Sequence, residues 1–194
     1  MIDVRFHSSV FNLKDMPAFG YPEICISGRS NVGKSSMINC LSGRKQGLAK
    51  TSQTPGKTRS LNYYLVDGSF FLVDLPGYGF AKISKSQKAE LSRLTNSYLN
   101  GRKELNGIIQ LIDSRHGPVS GDLMMLDWIE KWCGNALYVF TKTDKLSARN
   151  KSMLEKTFNK EFGLENTVMF SANTGAGSEN IWSWIYNAIK KINK

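Results

Sequence analysis

The stretch GRSNVGKS (28–35) constrains the fold of this chain more than any other part of its sequence. It follows the apolar run EICIS (23–27) directly and matches the pattern GxxxxGK[ST] at every fixed position. Its glycines allow backbone N–H groups to curl around a chain of phosphates, and the N-terminus of a following helix adds a partial positive charge. The sequence therefore predicts a strand, a phosphate-binding turn and a helix that begins at about Lys34.

The rest of the chain alternates short apolar runs with helix-like stretches, which is typical of an α/β fold with a mostly parallel sheet. RSLNYYLVDGSFFLVDL (59–75) predicts two strands joined by a tight turn at Asp67-Gly68, so we expect the first of them to be an antiparallel edge strand. Further strands are predicted at 107–113, 136–142 and 167–171. Helices are predicted at 85–100, 121–132, 147–161 and 178–192. Because no domain boundary is visible, we expect one domain over residues 1–194.

Two motifs supply candidate residues for binding phosphates and a metal. In the first, we expect Lys34 to reach the β- and γ-phosphate oxygens and the Ser35 hydroxyl to hold Mg²⁺. The second, DLPG (74–77), ends a buried strand, where ligands bind in open α/β sheets. There, Asp74 is expected to hold Mg²⁺ through a water, and the Gly77 amide to sense the γ-phosphate. The predicted phosphate-binding residues are Gly28, Arg29, Ser30, Asn31, Val32, Gly33, Lys34, Ser35, Asp74, Leu75, Pro76 and Gly77.

Two later motifs indicate a guanine base. TKTD (141–144) ends another predicted strand, and its aspartate could accept both the N1–H and the exocyclic amine of guanine, a pair that adenine does not offer. FSAN (170–173) could place the Ala172 amide on guanine O6. Either motif alone also fits an ordinary surface turn, but together four motifs fall in order on four strand ends. The predicted base-binding residues are Thr141, Lys142, Thr143, Asp144, Phe170, Ser171 and Ala172.

Charge indicates a polyanionic partner. The chain has 26 Lys and Arg against 16 Asp and Glu, a net charge of +10, and residues 44–103 alone hold eleven of these cations against three acids. A surplus this local favours RNA as the partner, with a generally solvated basic surface as the alternative. No segment approaches the roughly 20 apolar residues that cross a bilayer, so we expect a cytoplasmic protein without membrane contact. The three cysteines fit neither a disulfide framework nor a zinc site.

The order of these motifs resembles that of the translation-factor-related GTPases, and most closely the bacterial EngB family (also called YihA or YsxC). GRSNVGKSS, TPGKTRSLNYY, DLPGYGFAK and TKTDKL all look like motifs of that family, and FSAN is compatible with its last one. The resemblance spans about residues 5–192. It implies a three-layer P-loop GTPase fold, binding of GTP and GDP with Mg²⁺, and a nucleotide-gated role in assembly of the large ribosomal subunit. The family is also linked to cell division and septum formation.

The resemblance also extends the expected site into the segment before the first hairpin strand. The family pattern PGKT places a Mg²⁺-binding hydroxyl on Thr58, with Thr54 as the second candidate. The nucleotide-binding residues that it implies there are Gly56, Lys57, Thr58, Arg59 and Ser60. The base motif begins with Thr141 where many GTPases have Asn, from which we expect somewhat looser nucleotide binding.

The residue after DLPG raises the question of how GTP would be hydrolysed. Many GTPases have a glutamine there that orients the attacking water, whereas Tyr78 carries no amide, so slow intrinsic hydrolysis is expected. In related cation-dependent GTPases an asparagine at the position of Asn31 helps to coordinate K⁺, which could supply the missing positive charge. A ribosomal surface that orders the loops in trans is the other route. The expected catalytic residues are Lys34, Asn31, Thr58 and Gly77.

Three rival functions remain open at this stage. The chain could be a constitutive RNA-binding module that uses GTP only as a structural ligand. It could be a P-loop ATPase or nucleoside kinase, although TKTD argues against an adenine base. It could also be a cell-division scaffold whose basic face meets an acidic protein. No dimer seam is visible in the sequence, so we expect a monomer.

Overall fold

The computed structural model of the chain describes residues 2–18, 20–43, 47–49, 60–79, 84–132, 134–162 and 166–190. Within these residues, one sheet is formed by β1 (Val4–Val10), β2 (Glu23–Gly28), β3 (Leu61–Val66), β4 (Phe70–Asp74), β5 (Leu105–Asp113), β6 (Ala136–Thr141) and β7 (Thr167–Met169). The helices are α1 (Lys34–Leu41), α2 (Lys85–Gly101), α3 (Ser120–Trp132), α4 (Ala148–Phe162) and α5 (Ser178–Lys190). Short 3₁₀ turns lie at Leu13–Asp15 and Thr143–Lys145.

The sheet has the strand order β1-β3-β4-β2-β5-β6-β7 and is mostly parallel. Parallel pairs join β4 to β2, β2 to β5, β5 to β6 and β6 to β7. By contrast, β3 is antiparallel to both β4 and β1. The α/β fold class, the hairpin at Asp67-Gly68 and its antiparallel strand are therefore confirmed. The predicted edge position of β3 is wrong, because β1 pairs along its outer side.

β1 carries only a weak signal in the sequence because few of its side chains are buried. Only its first and last residues, Val4 and Val10, are buried, and the five residues between them are exposed or half-buried. A bulge between Phe6 and Ser8 also interrupts its pairing with β3. In VRFHSSV the apolar residues Val4, Phe6 and Val10 alternate with polar ones, but Ser8 interrupts the series, so the pattern of a half-buried strand is incomplete.

Helices cover both faces of the sheet, which gives three layers. Buried residues of α1 and α5 pack on one face, and buried residues of α2, α3 and α4 pack on the other. The central strands are apolar almost throughout because both of their faces are covered. The predicted helices agree with α2 to α5 to within a few residues. No helix in the described ranges is long and apolar enough to span a bilayer.

The parallel strands bring their carboxyl ends to one edge of the sheet. The four predicted motifs follow β2, β4, β6 and β7, and a further loop, which begins at Asp113, follows β5. In an open α/β sheet this edge is where ligands bind. The topology therefore gathers the candidate residues at one place.

Candidate functional site

The loop from Gly28 to Gly33 leaves β2 and leads into α1, which begins at Lys34 with Gly33 as its N-cap. Gly28 lies so close to β5 that a Cβ atom there would come within 3.1 Å of the Leu111 carbonyl oxygen. Val32 is completely buried and anchors the loop in the core beneath α1 and α5. The first turn of α1 therefore presents its free N–H groups at the carboxyl edge, as a phosphate-binding loop requires.

Lys34 and Asp74 form a buried pair of opposite charges at this edge. Their exposed fractions are 8% and 2%, and the Lys34 Nζ donates to the Gly28 carbonyl oxygen at 3.3 Å. Burial lowers the pKa of Lys34, and Asp74 opposes that change. Burial likewise raises the pKa of Asp74 to about 6, although the Lys34 ammonium opposes the rise.

One oxygen of Asp74 lacks a protein partner. Its Oδ1 is buried and accepts no hydrogen bond from the residues that the structure describes. A buried carboxylate oxygen of this kind is costly unless it meets a donor or a cation. It therefore fits a magnesium-bound water, which would donate to it. Within the described ranges no group of three or more His, Cys, Asp and Glu could hold a metal, so such an ion would depend on water and phosphate ligands as well.

The DLPG loop lies directly against the phosphate loop. The Ser30 N–H donates to the Tyr78 carbonyl oxygen at 2.9 Å. A Cβ atom on Gly77 would come within 2.9 Å of the Lys34 Nζ and 3.0 Å of the Ser30 nitrogen, so a side chain there would crowd both groups. The Gly77 backbone therefore lies beside the ammonium that is expected to meet the β- and γ-phosphates.

The Tyr78 side chain points away from this loop, toward β5 and α3. Its hydroxyl donates to Asp122 Oδ1 at 2.5 Å and accepts from Gln110 Nε2 at 2.6 Å. Burial and the neighbouring Asp122 carboxylate raise the pKa of Tyr78, so the phenol stays protonated. The sequence showed that this position lacks a glutamine, but it did not indicate what the tyrosine contacts.

The base motif is tied to the phosphate loop by two of its side chains. The Thr141 hydroxyl donates to the Val32 carbonyl oxygen at 2.7 Å, and the Lys142 Nζ donates to the Asn31 carbonyl oxygen at 2.8 Å. Although a threonine here was expected to loosen nucleotide binding, its hydroxyl forms a direct link to the loop. The two halves of the candidate site are therefore linked directly by hydrogen bonds within the protein.

Asp113, which the sequence analysis did not single out, links three cations at the rim of the site. Its completely buried carboxylate accepts hydrogen bonds from Arg29 at 3.3 Å, Arg115 at 2.8 Å and Lys142 at 2.8 Å. Burial alone would raise the pKa of Asp113, but hydrogen bonds from Arg115 and Lys142 outweigh it and hold the pKa well below its usual value. Asp113 thus fixes Lys142, whose stem is expected to cover the purine face.

Asp144 is positioned by the motif that follows β7. Its two carboxylate oxygens accept from the Ser171 hydroxyl at 2.8 Å and from the Asn173 amide at 2.9 Å. The Ser171 hydrogen bond is the main cause of a lowered pKa of Asp144, with a further contribution from Asn173. Thr143 is buried and donates to the Phe170 carbonyl oxygen at 3.0 Å, which joins the two motifs. Asn173 was quoted within FSAN but not assigned a role.

The remaining predicted residues differ in what they could contribute. Leu75, Pro76 and Phe170 are buried, so their backbones rather than their side chains could meet a ligand. Ser35 and Ala172 are half-buried at the same edge, and Asn31 is exposed. Ser60 is buried, and its hydroxyl donates to Asn62 at 3.0 Å. Thr54, Gly56, Lys57, Thr58 and Arg59 lie outside the described residues.

Comparison with known proteins identifies the family. The sequence model of the family described as "50S ribosome-binding GTPase" matches residues 23–142. The chain is 43% identical over 189 residues to the "Probable GTP-binding protein EngB" of Halothermothrix orenii, covering 95% of this chain and 94% of that protein. The protein of the same name from Clostridioides difficile is 43% identical over 183 residues, covering 92% of this chain and 89% of the relative.

Solved structures agree with this at the level of the fold. A crystal structure of a probable GTP-binding protein EngB has a TM-score of 0.71 at 20% identity and covers 87% of this chain and 99% of its own. Era in complex with MgGDPNP and nucleotides 1506–1542 of 16S ribosomal RNA has a TM-score of 0.68 at 23% identity, covering 87% of this chain and 57% of Era. The motifs at the carboxyl edge, the sheet topology and the sequence relatives together show that the chain belongs to the EngB family of GTP-binding proteins.

Proposed function

We propose that this protein binds GTP and GDP with Mg²⁺ at the carboxyl edge of its sheet, hydrolyses GTP slowly, and acts as a nucleotide-gated factor in assembly of the large ribosomal subunit. The observation that carries the nucleotide site is the pair of bonds from Thr141 and Lys142 to the phosphate loop. These bonds join the base motif directly to the phosphate loop. A nucleotide would then bridge two parts that need little reorganisation.

Magnesium would be held by three side chains of the proposed site. Ser35 at the start of α1 and Thr58 would bind the ion directly, and Asp74 would bind it through a water. The buried Asp74 oxygen without a described protein partner supports the last assignment. The ion would neutralise charge on the β- and γ-phosphates.

Slow intrinsic hydrolysis follows from Tyr78. Its hydroxyl is engaged by Gln110 and Asp122, so this side chain does not offer a group to the attacking water. Lys34, Gly77 and Thr58 would stabilise the charge on the γ-phosphate, and the exposed Asn31 would help to bind K⁺ as a second cation. Turnover would then be faster in K⁺ than in Na⁺, and a ribosomal surface could raise it further.

Ribosomal RNA is the partner that charge favours. The family description names the 50S ribosome, and the structurally similar Era was solved with a piece of 16S ribosomal RNA. In this chain, Lys85, Lys88 and Arg93 are exposed on the first half of α2, directly after the DLPG loop segment. A basic surface beside a nucleotide-sensing loop could be ordered by GTP and released after hydrolysis. We place this action in the cytoplasm, with the protein as a monomer.

The test is co-sedimentation of the protein with purified large subunits in the presence of GDP, a β,γ-imido analogue of GTP, or no nucleotide. We expect binding with the GTP analogue to be at least about tenfold tighter than with GDP and to weaken as salt rises. Equal binding in all states would favour a constitutive RNA-binding module. No binding in any state would favour a protein partner, as in a cell-division scaffold.

A charge reversal sharpens this experiment. Lys88→Glu should weaken subunit binding several-fold, because Lys88 lies on the proposed contact surface. Arg149→Glu changes charge by the same amount at an exposed position on α4 and serves as the matched control. Equal losses in the two variants would show that only net charge matters.

A further inference from the structure

The hydroxyl of Tyr78 is fixed from two sides. Gln110 on β5 donates to it at 2.6 Å, and it donates in turn to Asp122 on α3 at 2.5 Å. Both partners are completely buried, although Tyr78 itself is only half-buried. A hydrogen bond to a carboxylate in such surroundings is stronger than one between neutral groups. We call these three side chains the Tyr78 latch.

The partners of the latch are themselves held in place. The second carboxylate oxygen of Asp122 accepts from the Val119 N–H at 2.9 Å, as a side chain in the first turn of a helix does when it caps the start. The Gln110 amide also donates to the Leu111 carbonyl oxygen at 3.1 Å. The latch therefore ties the loop after β4 to two elements of the fold that cannot easily move.

The ring of Tyr78 also has a tight neighbour. A Cβ atom on Gly121, the second residue of α3, would lie 2.8 Å from the Tyr78 Cδ2 and 3.1 Å from its Cε2. The ring therefore lies flush against the backbone of α3, at a position that is open only because residue 121 is glycine.

The backbone at the same position reaches the phosphate loop. The Tyr78 carbonyl accepts from the Ser30 N–H at 2.9 Å, and the preceding Gly77 lies against the Lys34 Nζ. Tyr78 thus contacts α3 and β5 through its side chain, and it contacts the phosphate loop through its backbone. A displacement of the Tyr78 side chain would therefore shift the Gly77–Tyr78 peptide and the neighbouring Gly77 amide.

We propose that the Tyr78 latch positions the Gly77 amide for the third phosphate of GTP. This inference rests on the proposed nucleotide site and adds a residue that selects GTP over GDP. Because the latch holds the loop through contacts within the protein, GTP does not have to bear the full cost of ordering it. GDP has no γ-phosphate and makes no use of Gly77, so the latch affects one nucleotide and not the other. Tyr78 is a positioning residue, since its hydroxyl points away from the phosphates.

The first test is Tyr78→Phe, which keeps the ring and removes the hydroxyl. We expect the dissociation constant of the imido GTP analogue to rise by about tenfold and that of GDP to change by less than about twofold, since one buried hydrogen bond to a charged group is lost. Calorimetric titration with both nucleotides in Mg²⁺ measures the two constants on the same sample. A merely structural role would change stability without changing their ratio.

Tyr98→Phe is the matched control. Tyr98 also donates from a buried position to a carboxylate, Glu23 Oε2 at 2.9 Å, but it lies on the last turns of α2 and joins the amino end of β2. We expect it to lower the melting temperature by as much as Tyr78→Phe and to leave both dissociation constants unchanged.

Gly121→Ala tests the same inference without touching the hydrogen bonds directly. The added methyl group should displace the Tyr78 ring from α3. It should weaken binding of the GTP analogue but not of GDP, even though alanine favours the helix. Gly101→Ala, in the last turn of α2 with open space around it, controls for the helix effect. The inference is overturned if Tyr78→Phe and Gly121→Ala change the dissociation constants of GDP and of the GTP analogue by the same factor, or change neither. It is also overturned if they strengthen binding of the analogue. If the wild-type chain bound neither nucleotide, the proposed site itself would be at fault, and the latch would fall with it.

Discussion

A single buried carboxylate, Asp113, positions three cationic side chains at the rim of the site. It accepts from Arg29, Arg115 and Lys142, and Lys142 in turn donates to the phosphate loop at Asn31. Removing the negative charge would leave these cations facing one another around a neutral group. The position of Lys142 and the path of the phosphate loop would both change as a result.

We therefore expect Asp113→Asn to lower the free energy of unfolding by about 1–3 kcal/mol and to weaken GDP binding several-fold. Because the pKa of Asp113 is held below its ordinary 3.8, its carboxylate stabilises the fold at neutral pH, and this contribution is lost as the pH falls below about 4. The difference in the free energy of unfolding between wild type and variant should accordingly be largest at pH 7 and decrease toward pH 2–3. Urea unfolding at several pH values measures it.

Asp127→Asn is the control for that experiment. Asp127 pairs with Lys131 at 2.8 Å, but both side chains are largely exposed, at 63% and 73%. Such a pair contributes little to stability, so a change within about 0.5 kcal/mol is expected at any pH. A deficit at Asp113 no larger than this one would contradict the role given to Asp113.

Residues whose role is local to a motif could be predicted from the sequence, and residues whose role depends on distant partners could not. Asp144 and Lys142 stand in a recognisable tetrapeptide at the end of a strand. Asp113 also ends a strand, but its role depends on Lys142 and Arg29, which lie 29 and 84 residues away along the chain. The contacts of Tyr78 with Gln110 and Asp122 are equally non-local, at separations of 32 and 44 residues.

Among the elements, α5 packs closely against β5 at a glycine of that strand. A Cβ atom on Gly107 would lie 2.8 Å from the Trp184 ring and 2.9 Å from the Ile24 side chain. The helix can approach the strand this closely because residue 107 has no side chain. This packing sets the distance between α5 and the middle of the sheet.

Gly107→Ala should therefore destabilise the protein by about 1–3 kcal/mol, because overpacking forces Trp184 to move. For a chain of this length the melting temperature should fall by about 2–4 °C for each kcal/mol. Gly101→Ala, which meets no neighbour, should leave the melting temperature unchanged or raise it slightly. Scanning calorimetry of the two variants decides the matter, and an unchanged melting temperature for Gly107→Ala would show that the contact is loose.

The elements that the sequence predicted are those with a strong pattern. The buried runs of β2, β4, β5 and β6 and the periodic helices α2 to α5 follow from apolar spacing and from the Asp67-Gly68 turn. β1 is held chiefly by backbone pairing with β3, and only its two end residues are buried. Pairing with a neighbouring strand leaves little mark on composition, which is why the edge of the sheet was assigned to the wrong strand.

At the scale of the whole molecule, the two ends of the sheet have different tasks. At the amino end, Glu23 is completely buried and is bound by Tyr98 and Arg102. Burial raises the pKa of Glu23, and the Arg102 guanidinium offsets part of that rise. At the carboxyl end, polar groups are left facing outward from the loops, with a buried Asp74 oxygen that no described residue satisfies. The buried charge at the amino end is thus satisfied within the protein, whereas the carboxyl end keeps a buried acceptor available for a ligand.

We propose that these loops converge on one guanine nucleotide, whose base is recognised by Asp144. The direct measurement is calorimetric titration of wild-type protein and Asp144→Asn with GDP, ADP and xanthosine diphosphate in Mg²⁺. Wild type should bind GDP at least about 100-fold more tightly than ADP, because adenine lacks the N1–H and the 2-amino group that the Asp144 carboxylate would accept. Asp144→Asn should bind GDP more weakly by a similar factor. It should bind xanthosine diphosphate more tightly than wild type does, because the C2 carbonyl of xanthine can accept a hydrogen bond from the new amide. Equal binding of ADP and GDP by wild type, or unchanged GDP binding by Asp144→Asn, would contradict the account.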